Sequence, residues 1–242
     1  MLRLVYVCLI SAPIIIYYIW KVGYIERHST HYSEARRYRI AQHIVSIMKH
    51  NAFIHTKVYG QDNLPAEGGY VMYANHQCKY DCLGIIGAHK KPCTMVMDEK
   101  RSRLPIANEF VTLLQGSRLD KTSMKTQLDT IIKVIGEVKS GRRYIIFPEG
   151  GYDKNHNHVM EFMPGSFKCA MKAKSPIVPV ALIDSYKPFE YNSLRPVTTQ
   201  VHFLEPLYYE DYKELSTREV SELVRTHIVE TINQRVANAA LQ

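Results

Sequence analysis

A histidine and an aspartate with four residues between them, His76 and Asp81, sit in the stretch Ala74-Asn75-His76-Gln77-Cys78-Lys79-Tyr80-Asp81. On one continuous helix, five steps turn the chain by roughly 500° and point the two side chains apart. They meet if His76 lies on a strand-to-helix turn and Asp81 lies in the first turn of the helix. The apolar run just upstream, Gly69-Tyr70-Val71-Met72-Tyr73, suits the strand. The carboxylate would then hold Nδ1 of the imidazole and leave Nε2 free as a base, which a hydroxyl needs when it attacks an acyl carbonyl. A turn histidine beside a helix-capping aspartate accounts for the same two residues without any chemistry.

A second stretch, Arg143-Tyr144-Ile145-Ile146-Phe147-Pro148-Glu149-Gly150-Gly151, runs from β-branched and aromatic residues into a proline, an acid and two glycines. It reads as a buried strand with Phe147 to Gly150 as the loop at its carboxyl end. In α/β sheets such loops are where ligands bind.

Four stretches in order carry a resemblance: Asn75-His76 with Asp81, then Gly116-Ser117-Arg118-Leu119-Asp120-Lys121, then Phe147-Pro148-Glu149-Gly150, then Ile177-Val178-Pro179-Val180. Together they resemble the glycerolipid acyltransferase family, best known for the 1-acylglycerol-3-phosphate O-acyltransferases. The likeness runs from about Lys57 to about Arg235. It implies an enzyme that moves a fatty acyl group from a thioester, acyl-CoA or acyl carrier protein, to the free hydroxyl of lysophosphatidate, giving phosphatidate for phospholipid synthesis. It makes His76 and Asp81 catalytic, sets Lys121 and Arg118 against the acceptor's phosphate, and has Glu149, Gly150 and Gly151 position the acceptor. Backbone N–H groups near Gly150 become candidate oxyanion donors. No metal or other cofactor is implied.

Two residues depart from the family pattern. Lys121 stands where the second block usually ends in arginine, which keeps the charge and loses the bidentate fork. On an extended strand Arg118, three residues earlier, faces the opposite side. Where the family continues Glu-Gly-Thr-Arg, this chain has Glu149-Gly150-Gly151-Tyr152, so a cation must come from elsewhere, with Lys154 and Lys168 as candidates. These changes bear on the acceptor, which could be another lysolipid.

Three other readings compete. His76, Cys78, Cys82, His89 and Cys93 are zinc-ligand types, but they lack paired Cys-x-x-Cys spacing. Cys78 could be an acylated nucleophile, but residues at i and i+2 of such a turn rarely face each other, so direct transfer is preferred. A non-catalytic membrane-tethered lipid-binding module would share the apolar N-terminus but has no use for His76, Asp81 and Glu149 together.

The 242 residues suffice for one sizeable core. A net charge of +8 suits an anionic partner. With no nucleic-acid-binding signature, that partner is expected to be an anionic membrane surface. Five cysteines make an odd number and suggest a reducing compartment rather than a disulfide framework. Leu4 to Trp20 is almost wholly apolar and bounded by Arg3 and Lys21, the short end of a spanning length. It is expected to be a retained anchor, kinked or re-entrant at Pro13. Charge asymmetry puts the main domain on the cytoplasmic side. Ser33 to Asn51 reads as a basic amphipathic helix, with Ile40, Ile44, Ile47 and Met48 at helical spacing; the pattern suits a helix packed on the domain equally well, and its place after an anchor favours the membrane surface. Residues 1–51 thus form an anchor segment and residues 52–242 an acyltransferase domain.

Within that domain, strands are expected near Phe53–Tyr59, Tyr70–Ala74, Thr94–Met97, Ile145–Phe147, Ile177–Ile183 and Val197–Phe203. Helices are expected over Cys82–Ala88, Leu104–Leu114, Thr122–Val138 and Pro164–Lys174. A last helix opens on the capping box Ser216-Thr217-Arg218-Glu219. The polar run Asn155-His156-Asn157-His158 reads as a solvated loop. The fold class is α/β, a mixed, largely parallel sheet flanked by helices and preceded by an N-terminal membrane-anchoring helical segment.

Overall fold

The computed structural model describes residues 2–240; Met1 and residues 241–242, the outer ends of the two expected segments, lie outside it. The strands are β1 (Ile54–Tyr59), β2 (Val71–Ala74), β3 (Thr94–Asp98), β4 (Ser117–Leu119), β5 (Tyr144–Ile146), β6 (Ile177–Ile183) and β7 (Val197–Phe203). The helices are α1 (Leu2–Ile10), α2 (Ala12–Arg27), α3 (Glu34–Asn51), α4 (Asp81–Ala88), α5 (Glu99–Ser102), α6 (Ala107–Leu113), α7 (Met124–Lys139), α8 (Lys168–Ala173), α9 (Lys187–Glu190), α10 (Tyr209–Tyr212) and α11 (Thr217–Ala240).

The strands form one sheet in the order β1-β7-β6-β2-β5-β3-β4. Every neighbouring pair is parallel except β6 with β7. Strands β2 and β6 are buried along their whole length, as expected for central strands covered on both faces. Alternation along β2 sends Met72 and Ala74 to one face and Val71 and Tyr73 to the other. The first face packs on α2, α3, α4 and α6 through Ile25, Tyr38, Val45, Ile85 and Phe110. The second packs on α7, α8 and α11 through Val134, Cys169, Val220, Val224 and Ile228. The capping box that opens α11 is formed, with Glu219 Oε2 accepting from Ser216 N–H at 2.7 Å and Ser216 Oγ accepting from Glu219 N–H at 3.3 Å.

The N-terminal segment differs from a single anchor helix. The apolar run is broken at Ser11 between α1 and α2, with Pro13 in the first turn of α2, where its missing N–H costs nothing. Among the described residues, no helix is long and apolar enough to cross a membrane. Helix α3 packs on the domain. Tyr38, Ala41 and Val45 are buried in the core, with the Tyr38 hydroxyl 3.0 Å from the carbonyls of both Ile86 and His89, while Ile40, Ile44, Ile47 and Met48 are half-buried. Arg37 faces inward too, donating to Tyr32 O and to Glu26, while Arg36 and Arg39 stay exposed. Helical periodicity cannot tell a core-facing stripe from a membrane-facing one, because both are apolar.

Two smaller differences follow from local chemistry. The helix expected from Leu104 begins only at Ala107, after Ile106 takes a positive φ of 73°. In α7 the buried positions are Val134 and Val138, whereas Leu128 and Ile132, apolar residues of the same helix, are each 57% exposed.

Candidate active site

Strands β2 and β5 are parallel neighbours, with Tyr73 opposite Ile146, so their carboxyl ends release two loops side by side. One carries His76, the other Glu149. Asn75 extends β2 towards β6 with its side chain: Oδ1 accepts from Leu182 N–H at 2.7 Å, and Nδ2 donates to Leu182 O at 3.0 Å. The amide stands in for a rung of the ladder and fixes where the turn begins.

His76 and Asp81 are brought together as their spacing requires. His76 Nδ1 lies 2.7 Å from Asp81 Oδ2. Asp81 is buried and, as a carboxylate, can only accept, so Nδ1 carries the proton and Nε2 presents its lone pair. Nε2 bonds to no described residue. The same Oδ2 accepts from the main-chain N–H groups of Gln77 and Cys78, the latter at 2.9 Å, and Oδ1 lies 2.6 Å from Ser185 Oγ. Four donors surround Asp81, and the Cys78 sulfur lies 3.4 Å from Oδ1. They compensate its burial and lock its orientation.

The imidazole is held flat as well. Phe147 stacks on it at 4.3 Å between ring centroids, and Tyr152 meets it edge-on at 4.6 Å. Tyr152 stands where the family pattern has its arginine and here becomes one wall of the base.

Glu149, expected to position the acceptor, holds the base from behind. Its Oε1 accepts from His76 N–H at 2.9 Å. The carboxylate is 8% exposed, and burial raises its pKa to about 7, against the opposing pull of the N–H groups of His76 and Met160. Gly150 has φ of +71°, and a Cβ there would come within 2.5 Å of Met163 Cε, so the turn demands glycine. The Gly150 N–H is already donated to Phe147 O at 3.2 Å, which removes it from the expected oxyanion donors. Gly151 N–H bonds to no described residue.

The second block separates its two cations: β4 carries Arg118 and ends at Leu119, and Lys121 lies in the turn beyond it. Lys121 Nζ donates to Gly150 O at 2.9 Å, beside the acid loop, and is exposed. Arg118 points away and spends its guanidinium on Ser102, Asn108 and Thr112 at 2.7–3.2 Å. It is a brace between β4 and the α5–α6 segment, and the expectation that it meets the acceptor's phosphate is corrected. Neither Lys154 nor Lys168 bonds to a described residue of the site. The cation that does approach is Arg101, whose guanidinium carbon lies 5.9 Å from the centre of the Tyr152 ring. Sequence spacing missed it; its one signal was its place in the basic run Lys100-Arg101-Ser102-Arg103.

The polar loop Asn155–His158, expected to be solvated, is folded back on the site. Asn155 Nδ2 donates to His76 O at 3.0 Å, and Asn157 Oδ1 accepts from Gln77 Nε2 at 3.0 Å. Ser185 escapes a sequence reading because it arrives from the end of β6, and Asn155 and Asn157 because the polar loop after Glu149 carries no sign that it folds back.

Cys78 is buried, and its thiol donates to Ser185 O at 2.8 Å. Burial, with Asp81 adding to it, pushes its pKa far above the ordinary thiol range. Such a thiol stays protonated and is a poor nucleophile. Among the described residues, no group of three or more His, Cys, Asp or Glu could hold a metal ion. His89 is occupied by Tyr70 Oη and Lys91 O, both at 2.6 Å.

A buried acid orienting a histidine at the carboxyl edge of a parallel sheet, with an acid-glycine loop behind it, defines a class. The family model described as acyltransferase matches residues 55–183, slightly more than half of the chain, and the chain belongs to that family. A 1-acyl-sn-glycerol-3-phosphate acyltransferase of Saccharomyces cerevisiae is 28% identical over 193 residues, covering 78% of this chain and 63% of that protein. The chain thus spans just under two thirds of the yeast protein's length. A protein of the same description from Escherichia coli is 25% identical over 171 residues, covering 70% of this chain and 68% of its own. The fold matches the crystal structure of the 1-acyl-sn-glycerophosphate (LPA) acyltransferase PlsC from Thermotoga maritima, with a TM-score of 0.79 at 20% identity, over 98% of this chain and 95% of that one.

Proposed function

We propose that this chain transfers a fatty acyl group from an acyl thioester to the free hydroxyl of 1-acylglycerol-3-phosphate, forming phosphatidate. The observation that carries this reading is the 2.7 Å contact between His76 Nδ1 and the buried Asp81, which leaves Nε2 open. Nε2 takes the proton from the acceptor hydroxyl as the oxygen attacks the thioester carbonyl. Asp81 stabilises the imidazolium that forms, and the thiol carrier leaves with a proton returned from Nε2. No acyl-enzyme is formed, because the one thiol near His76 is buried and protonated.

The phosphomonoester of the acceptor sits between Lys121 and Arg101. Both are exposed cations near the acid loop, Lys121 on Gly150 O and Arg101 over Tyr152. They replace the two family arginines that the sequence lacks. Glu149 keeps the His76 backbone in place.

The protein works at a membrane surface on the cytoplasmic side. Leu9, Ile16 and Trp20 are 62–72% exposed on α1 and α2, more apolar area than a water-facing helix pair needs. The groove between α2, α3 and α6 is lined by apolar side chains, Ile14, Ile15, Tyr18, Ile44 and Phe110 among them. The outer apolar side chains of α1 and α2 are the ones left to enter the lipid. All five cysteines are free, which accords with a reducing compartment.

The test is direct. The purified chain is given a panel of lysolipids with acyl-CoA and with acyl carrier protein thioesters, and products are read by mass spectrometry. Phosphatidate as the main product supports the reading. Acylation of a neutral or choline-bearing lysolipid in preference replaces the acceptor, and no acylation of any lysolipid removes the activity.

A further inference from the structure

Away from His76, an open cavity of about 880 Å³ lies where α1 meets the segment that joins α9 to β7. Its wall includes Arg3, Lys187, Glu190, Asn192, Ser193 and Arg195, and it shares no residue with the site around His76.

Arg3 is the unusual member of that wall. It belongs to the first turn of an otherwise apolar helix and is only 2% exposed. Nη2 donates to the carbonyl oxygen of Arg195 at 2.5 Å, but Nε and Nη1 have no hydrogen-bond partner. Among the described residues no carboxylate lies within ion-pair distance of it. Burial pulls its pKa below the ordinary guanidinium value. A buried charge without a counter-charge is strongly disfavoured, and a planar guanidinium is shaped to take two oxygens of one anion.

The surroundings fit an anion. Arg195 has an exposed side chain with no acidic partner among the described residues. The acid of the wall, Glu190, is held by His156 Nε2 at 2.6 Å, and Lys187 is paired with Asp184 at 2.7 Å. Two guanidinium groups are thus left without a carboxylate. Asn192 Oδ1 accepts from Leu2 N–H at 2.8 Å, which ties the start of α1 to the cavity's loop.

We propose that this cavity is a second anion site, built for the phosphate group of a lipid, with Arg3 and Arg195 as its cations and Lys187 at the rim. The helix that carries Arg3 also exposes Leu2 (49%), Val5 (51%) and Leu9 (72%). A phosphate on a lipid can bring its chains to those side chains while its oxygens meet Arg3; a free phosphate uses only half of that surface. The expected count of two equivalents rests on the proposed acceptor site at Lys121, whereas the effects of Arg3 and Arg195 on binding do not.

The test titrates the full chain by calorimetry with a soluble short-chain phosphatidate and, separately, with inorganic phosphate and with acetate. Wild type is expected to bind two equivalents of the short-chain lipid, one of them lost in Lys121→Ala. In that background, Arg3→Met should weaken the remaining site by about tenfold or more, as loss of a charge-assisted contact does. Arg195→Gln, a change at an exposed side chain, should weaken it severalfold and serves if Arg3→Met does not fold. Weaker binding of inorganic phosphate supports the lipid source, and equal binding overturns it in favour of free phosphate. Acetate binding as tightly as phosphate overturns the phosphate assignment. A single equivalent abolished by Lys121→Ala, or unchanged binding in Arg195→Gln, overturns the site itself.

Discussion

Glu149 accepts a hydrogen bond from the main-chain N–H of His76 at 2.9 Å, so the acid of one loop fixes the backbone of the base on the next. The bond exists because β2 and β5 are parallel neighbours that end at the same edge. It makes the position of the imidazole depend on two loops separated by some seventy residues of sequence, and it places a carboxyl group in a buried setting.

That setting gives a pH dependence. Burial raises the Glu149 pKa to about 7 from its ordinary 4.5. The folded chain therefore keeps a proton that the unfolded chain has released. The stability from this group is fully present below about pH 4.5 and is lost as pH rises through about 7. Between pH 6 and pH 8 the loss should be about 1 kcal/mol. Urea unfolding at the two pH values should show it in wild type and show a flatter dependence in Glu149→Gln. The same slope in both proteins would remove the assignment.

His76→Ala and Asp81→Asn should each lower turnover by about two to four orders of magnitude without unfolding the chain. The His76 side chain is a minor part of the core. Asp81→Asn keeps the volume but turns an acceptor into a mixed donor, so the imidazole tautomer is no longer fixed. A folded His76→Ala protein with more than about a tenth of wild-type turnover would show that another group is the base.

Cys78→Ala should keep most of the activity. The thiol donates to Ser185 O and packs beside Asp81, so its loss costs stability of about 1 kcal/mol rather than a chemical step. Intact-mass measurement after incubation with acyl thioester should find no acyl group on the protein. An acylated Cys78, with activity as low as in His76→Ala, would reinstate a covalent route.

How far the sequence reaches can be seen at particular residues. Ile177–Ile183 and Val197–Phe203 are legible because β-branched runs bounded by turns have few other uses, and both strands fall where expected. The His76–Asp81 pair is legible because its spacing makes sense only across a turn. Ser185 is not, although it bonds to Asp81, because it arrives from the end of β6 about a hundred residues away. The setting of α3 is not legible for a different reason: its periodicity suits lipid and core alike, and the buried Tyr38, Ala41 and Val45 show that α4 and the sheet take part of its apolar face. Patterns report that a face is apolar; only the fold says what covers it.

The last prediction separates the cations around the acid loop. Lys121 donates to Gly150 O and Arg101 lies over Tyr152, and both are exposed to an incoming anion. Lys121→Ala and Arg101→Ala should each raise the Michaelis constant for lysophosphatidate by about ten- to a hundredfold, the worth of a charge-assisted contact to phosphate, while leaving that for the thioester nearly unchanged. Lys121→Arg should be tolerated, since it keeps the charge and adds the fork. Arg118→Ala should behave differently. Its donors all go to Ser102, Asn108 and Thr112, so it should lose stability of about 1–3 kcal/mol, read by urea unfolding, with a normal acceptor constant in the folded fraction. An acceptor-specific defect in Arg118→Ala alone would mean that the phosphate lies on the opposite side of β4. Normal constants in all three variants would mean that the acceptor carries no phosphate at this loop.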